Sequence, residues 1–263
     1  MLTAYKRDDP KVQPQLAVPV SVPEHLLASI NPQSDPKQLA IADLVNIAFY
    51  YLLRVGEYTK PRNQNILTVP FRVMDVTFRN AAGQLIPNNS PLHELLLAAE
   101  ATIRIPDQKN GLKGQCIHNQ CTGTIFSPVK SLARRVHHIM SNHATPDTPI
   151  YYYKQFLHLS WKQVNPTEIN KAVKHAAGAV GLYNLGYSQD DVSSHSLRAG
   201  GAMAMHINNI DTITIRKMGR WKSNTFLMYI HEQISAFAAG VSIKMSQAIP
   251  FRHIAGPTIV QPT

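Results

Sequence analysis

Apolar residues recur at helical spacing in several blocks of this chain, and the residues bounding each block mark where it starts and stops. The densest block is PKQLAIADLVNIAFYYLLRVGEY, residues 36–58, which predicts one buried helix with Arg54 and Glu57 at its C-terminal end. Residues 1–35 are rich in proline and polar residues and predict a linker or remnant N-terminal arm, with a short helix over 24–30. Alternation in LTVPFRVMDVTFRN, residues 67–80, predicts one or two strands. ATIRIPDQ and LKGQCIHNQ flank KNG, and the Asn110-Gly111 turn signal predicts a β-hairpin with Lys109 at its tip.

Ser127 and Pro128 open a predicted helix over SPVKSLARRVHHIMSNH. Asn165, Pro166 and Glu168 open another that stops at Gly181. The last third predicts three short helices: SSHSLRAGGAMAMHI, DTITIRKM and NTFLMYIHEQISAFAAGV. Asp211 and Ser223 fit as N-caps, and Gly219 as a stop. The pattern therefore predicts a mainly α domain with a small antiparallel β-sheet, an α+β class. It would run over residues 36–245, followed by an extended tail over 246–263.

Composition narrows the setting. The chain has 263 residues, 44% of them hydrophobic and 16% charged, enough for a real core and unlike a disordered charged chain. No run of 18 apolar residues occurs, so no membrane span is expected, and MLTAYKRDDPK is not an apolar leader. Two cysteines make no disulfide framework, which fits a reducing compartment. The formal net charge of +10 points to a polyanionic partner, nucleic acid before an anionic membrane surface, but only if the charge sits beside chemistry.

Candidate chemistry is concentrated late in the chain. His195 and Arg198 are three apart, so on a helix they share a face and can hold one phosphate. An isolated H-x-x-R is more often a capping histidine beside a solvated arginine. Arg54 follows an apolar helix and requires a partner, which Glu57 can supply. Trp221 follows a helix stop, and Tyr229 comes eight residues later. Lys130, Arg134 and Arg135 share a segment with His137, His138 and His143, which reads either as a solvated face or as DNA phosphate contacts. Cys116, His118 and Cys121 match no common zinc spacing and read as strand residues. Tyr151, Tyr152 and Tyr153 read as strand and core aromatics, and His231 as either a neighbour of the site or exposed.

Taken in order, Arg54, Lys109, His195-x-x-Arg198, Trp221 and Tyr229 resemble the site of the tyrosine recombinase (phage integrase) family. LLRVGE resembles the family's first box, SSHSLRAGGAM its second, MGRWKSNTFLMYIH its third, and Lys109 its hairpin lysine, over about residues 40–240. Trp221 and Tyr229 are one residue closer than is usual in phage and bacterial members. This spacing, with QKNG and GRW, is more similar to recombinases of eukaryotic mobile elements, the crypton and DIRS-like groups. The resemblance implies a catalytic domain that cleaves and rejoins DNA. Tyr229 would be the nucleophile that forms a 3′-phosphotyrosyl link, with Arg54 and Arg198 on the phosphate oxygens. Lys109 would be the acid toward the 5′ oxygen and His195 the acid/base partner of the tyrosine. Trp221 would donate its indole N–H, and Glu57 would support the site. It further implies double-stranded DNA as partner, a homo-tetramer on DNA, no membrane, no metal and no other cofactor. The working place would be the nucleus if eukaryotic, otherwise the cytoplasm. No Walker loop is present, consistent with rejoining that needs no ATP. Two rival readings are a DNA-binding module that has lost catalysis and a type IB topoisomerase. The chain has little room for the family's N-terminal core-binding domain, of which residues 1–35 would be the remnant.

Overall fold

A computed structural model describes residues 15–31, 35–61, 68–107, 113–155 and 160–222. Helix α2, Pro36–Tyr50, forms the centre of the domain, with Asp35 as N-cap accepting the Lys37 N–H at 3.1 Å and Pro36 at the first helical position. It buries Leu44, Val45, Ile47, Ala48 and Phe49 on nearly every side, which is why its sequence is apolar almost throughout.

The predicted single helix over 36–58 is interrupted. Leu52 takes a left-handed conformation with φ of 48°, and the Leu53 N–H reaches back to the Ala48 carbonyl. The chain re-enters a helical turn as α3, Val55–Tyr58, with Arg54 as its N-cap. Arg54 and Glu57 therefore occupy the start of a new turn rather than the end of a long helix.

The sheet has four antiparallel strands in the order β2-β1-β3-β4: β1 Val76–Arg79, β2 Leu85–Ile86, β3 Glu100–Asp107 and β4 Lys113–Gln120. Ile103 pairs with Ile117, and Asp107 with Lys113 at the end next to the hairpin tip. The hairpin tip, with Lys109 and Asn110-Gly111, lies outside the described residues. Much of the stretch predicted as strand before Val76 is instead a 3-10 turn, Val73–Asp75, closed by the Asp75 carboxylate on the Arg72 N–H at 3.0 Å. The short helix α4 spans Leu92–Leu95, and α5 spans Pro128–Ser141. Strands β5, Tyr152–Lys154, and β6, Trp161–Gln163, pair separately.

The helices opened by Asn165 and Asp211 follow their predicted caps, and the one between them is capped by Ser193. Helix α6, Pro166–Ala179, opens with Asn165 accepting the Glu168 N–H at 3.1 Å. Helix α7, Ser194–Ile207, is capped by Ser193, and α8, Thr212–Gly219, by Asp211. Helix α7 lies flush on two backbones. A Cβ added at Gly200 would strike the Val18 carbonyl oxygen, and one at Gly201 the Phe49 carbonyl oxygen.

From Gln15 to Ile30 the expected arm is part of the domain. Val18 and Val22 are buried, and α1, Ser21–Ala28, packs on α2 and α6. The Leu16 N–H donates to the Asp191 carbonyl at 2.9 Å, and the Tyr187 hydroxyl to the Ala17 carbonyl at 3.0 Å. The apolar run LAVPVSV, bounded by proline, reads locally as linker but supplies side chains to the core. Residues 1–14, the helix predicted over 224–241 with its Ser223 cap, Tyr229 and His231, and the tail lie outside the described residues.

Candidate functional site

Glu57 organises the site. Its side chain is fully buried, and four donors reach its two oxygens. The Arg54 backbone N–H and the Arg220 Nη2 meet Oε2 at 2.8 and 2.9 Å. The Arg54 Nη1 and the Arg220 Nη1 meet Oε1 at 3.1 and 2.9 Å. Arg220 thus grips the carboxylate with a bidentate fork from 163 residues away. It can do so because it ends α8 in the left-handed conformation, φ 57° and ψ 39°, which turns its side chain inward.

Arg198 approaches from α7. Its Nη1 donates to the Leu52 carbonyl at 2.6 Å, an oxygen that also accepts from the Arg220 Nη2 at 3.0 Å. Its Nη2 donates to the Gly219 carbonyl. The left-handed turn at Leu52 is what aims that carbonyl at both arginines. The Arg198 guanidinium lies over the Trp221 ring, 4.3 Å from its centroid, a cation–π arrangement. Gly219 is required beneath that ring, since a Cβ there would overlap the indole.

Three guanidiniums thus surround one carboxylate. Burial alone would raise the Glu57 pKa, but Arg220 beside it, the Arg54 N–H and the more distant Arg198 pull it below the usual carboxylate value. Glu57 is therefore ionised, and the group carries a surplus of positive charge in a poorly hydrated setting, where charge acts strongly. Next to it a cleft of about 370 Å³ opens between Gln115 and Cys116 of β4 and Arg216, Lys217, Arg220, Trp221 and Lys222 around the end of α8. Such a cleft is suited to a phosphate diester. His195 sits one turn before Arg198 and is exposed, its N–H on the Ser193 hydroxyl at 3.2 Å. The next-door Ser194 N–H is held by the Asn170 Oδ1 at 2.8 Å, which fixes the start of α7.

The structure thus brings together Arg54, Glu57, Arg198 and Trp221, and places His195 on the same helix as Arg198. Lys109 and Tyr229 lie outside the described residues. The basic segment divides. Lys130 is partly exposed and reaches the Gly123 carbonyl at 3.2 Å. Arg134 is bound to Asp43, its Nε 2.9 Å from Oδ1. Arg135 is 2% exposed, with its guanidinium on the Ile150 and Tyr152 carbonyls, so the expected DNA contact does not fit its position. His138 is half-buried. Its Nε2 accepts the Lys154 N–H at 3.0 Å, and burial, with Arg135 and His137 nearby, lowers its pKa to about 4.

His118 pairs across strands with Thr102 at 2.7 Å, and among the described residues no group of three or more His, Cys, Asp or Glu is placed to hold a metal. Tyr151 and Tyr153 are buried, as expected of core aromatics. Arg220 is the residue that sequence reasoning missed. The available signal was Glu57 itself, because a buried carboxylate has more acceptor positions than one arginine fills.

This helical domain with a four-stranded antiparallel sheet has a fold similar to that of solved site-specific recombinases. The fold matches the XerH site-specific recombinase bound to palindromic difH substrate in a post-cleavage complex, with a TM-score of 0.58 at 15% identity, over 90% of this chain and 56% of that one. It also matches the pre-cleavage complex of XerH with difH, with a TM-score of 0.54 at 16% identity, over 88% of this chain and 54% of that one. The chain thus spans little more than half of the XerH chains it matches. No family model and no curated protein matches the sequence. Among the described residues no helix is long and apolar enough to cross a membrane.

Proposed function

We propose that this chain is the catalytic domain of a site-specific DNA recombinase or integrase that cleaves double-stranded DNA with Tyr229 and rejoins it. The observation that carries this reading is the joining of distant segments in one cluster: Arg54 and Arg220 on the buried Glu57 carboxylate, and Arg198, stacked on Trp221, sharing the Leu52 carbonyl with Arg220. In the proposed reaction the Tyr229 oxygen attacks the scissile phosphorus, and the bond to the 5′ oxygen breaks. A 3′-phosphotyrosyl link remains. Arg54 and Arg198 stabilise the charge on the non-bridging oxygens, and Trp221 supplies its indole N–H. Lys109 gives the leaving 5′ oxygen a proton, and His195 accepts the one that Tyr229 loses. Reversal with a different 5′ hydroxyl gives strand exchange, with no metal or nucleotide invoked.

The family resemblance extends the proposal to a homo-tetramer on DNA, and to action in the nucleus of a eukaryote or otherwise in the cytoplasm. The grouping with crypton and DIRS-like recombinases rests on Gly219-Arg220-Trp221 and its spacing to Tyr229. The test is incubation with a pool of nicked duplexes of random sequence. A DNA adduct that survives denaturation should form and should vanish in Tyr229→Phe. Persistence of the adduct in that variant refutes the nucleophile, and binding without any adduct favours the binding-only reading.

A further inference from the structure

We infer that Arg220 is a positioning residue of this site: it compensates the charge of Glu57, so that the carboxylate orients Arg54 without cancelling it. The inference rests on the cleavage reading above.

The geometry separates Arg220 from Arg54, the more exposed arginine that shares its carboxylate. Its side chain is 2% exposed, whereas that of Arg54 is 29% exposed. Its Nη1 and Nη2 are turned onto Glu57 and the Leu52 carbonyl. Arg220 also lines the cleft, but its two terminal nitrogens are held by Glu57 and Leu52, so its main effect on a bound phosphate passes through the carboxylate that orients Arg54.

What it does there follows from counting charges. Arg54 and Glu57 alone would form a neutral pair, and a neutral pair attracts a phosphate weakly. With Arg220 gripping both carboxylate oxygens, the trio keeps one positive charge, and the carboxylate still takes the Arg54 backbone N–H and Nη1. The fork matters, because a lysine would present a single point charge to one oxygen at a time. Arg220 has a second consequence for the site. Its left-handed backbone sets the direction in which the chain leaves α8, and Trp221 is the next residue, stacked on Arg198. One residue thus ties the turn at Leu52, the acid on α3 and the end of α8 into a single unit.

The experiment uses the full chain with Arg220→Met, Arg220→Lys, Glu57→Gln and the double variant Arg220→Met/Glu57→Gln. On the nicked duplex pool, Arg220→Met should slow adduct formation by about 100-fold while non-covalent binding of the same duplexes stays within about threefold. Arg220→Lys should lie between Arg220→Met and the unaltered chain, and it serves in place of Arg220→Met if that variant does not fold. Adding Glu57→Gln to Arg220→Met removes the uncompensated charge and should restore adduct formation by about tenfold. A double variant no faster than Arg220→Met overturns charge compensation. So does equal loss of binding and cleavage in Arg220→Met, which would mark a merely structural defect.

A second arm needs no DNA. The Tm deficit of Arg220→Met should shrink between about pH 7.5 and about pH 5, as a buried carboxylate without its partner takes up a proton, and Glu57→Gln should erase that dependence. A deficit that does not change with pH overturns the inference. If the unaltered chain forms no adduct, the cleavage reading falls and the positioning role with it, while the pH arm still reads the Arg220–Glu57 charge pairing.

Discussion

Around Glu57 three guanidiniums converge on one carboxylate beside an open cleft, whereas on α5 the arginines are matched inside the protein, Arg134 by Asp43 and Arg135 by two backbone carbonyls. Both regions bury arginine. Burial of arginine therefore does not mark a site, and neither does a local run of basic residues. The difference lies in the surplus. The Glu57 group holds more positive charge than its own carboxylate cancels, with a cleft beside it that an anion can enter. Arg135 is held by neutral oxygens in an interior that penalises its charge, and its pKa falls to about 10 as a result.

The sharpest way to break this comparison is to remove one arginine from each region. Arg54→Ala or Arg198→Ala should reduce adduct formation by about 1,000-fold with the fold kept, as read by circular dichroism. Arg134→Ala should leave the rate within a few-fold. A comparable loss in Arg134→Ala would show that the α5 face belongs to the site. Gly219→Ala comes next. Its Cβ would overlap the indole, so Trp221 must leave its place beside Arg198, and adduct formation should fall by about 100-fold with a shift in tryptophan fluorescence. Arg135→Met should do the reverse. It leaves two buried carbonyls without their donor and should cost about 2 kcal/mol in denaturant unfolding, yet cleave normally below its melting temperature.

The smallest expected effect concerns His138. Its folded pKa of about 4 lies below the ordinary histidine value of 6.5, so the folded state resists protonation. The stability it contributes is present above about pH 6.5 and is lost as pH falls toward 4. Allowing for partial exposure, the loss should be about 1 kcal/mol by pH 5 and absent in His138→Gln. A profile identical in the two proteins would remove His138 from the comparison.

Much of this contrast was legible in the sequence, and the unread parts share a cause. Ser127-Pro128, Asn165-Pro166-Glu168 and Asp211 start their helices as written: the Asn165 and Asp211 side chains cap their own backbone within three residues, and Pro128 is preset for the first helical position. The hairpin strands follow their alternation for the same reason. The break at Leu52 was not legible, since a leucine with positive φ carries no local signature. What makes that conformation useful is a carbonyl shared by residues 146 and 168 positions away. Arg220 stood in plain view between Gly219 and Trp221, but its partner is equally distant in sequence. Within the basic segment the position of Arg135 was not legible for the opposite reason, because its charge was visible and its burial was not.

The contact of Gly200 with Val18 has a practical corollary for anyone shortening this protein. A chain begun at Pro36, where the helical pattern starts, would lack the strand-like stretch on which α7 rests, along with Val18 and Val22 from the core. Its Arg198 and His195 would be intact in sequence yet unsupported from behind. The smallest piece worth expressing therefore begins ahead of Leu16, and a fragment that ignores this can be inactive without having lost one residue of its active centre.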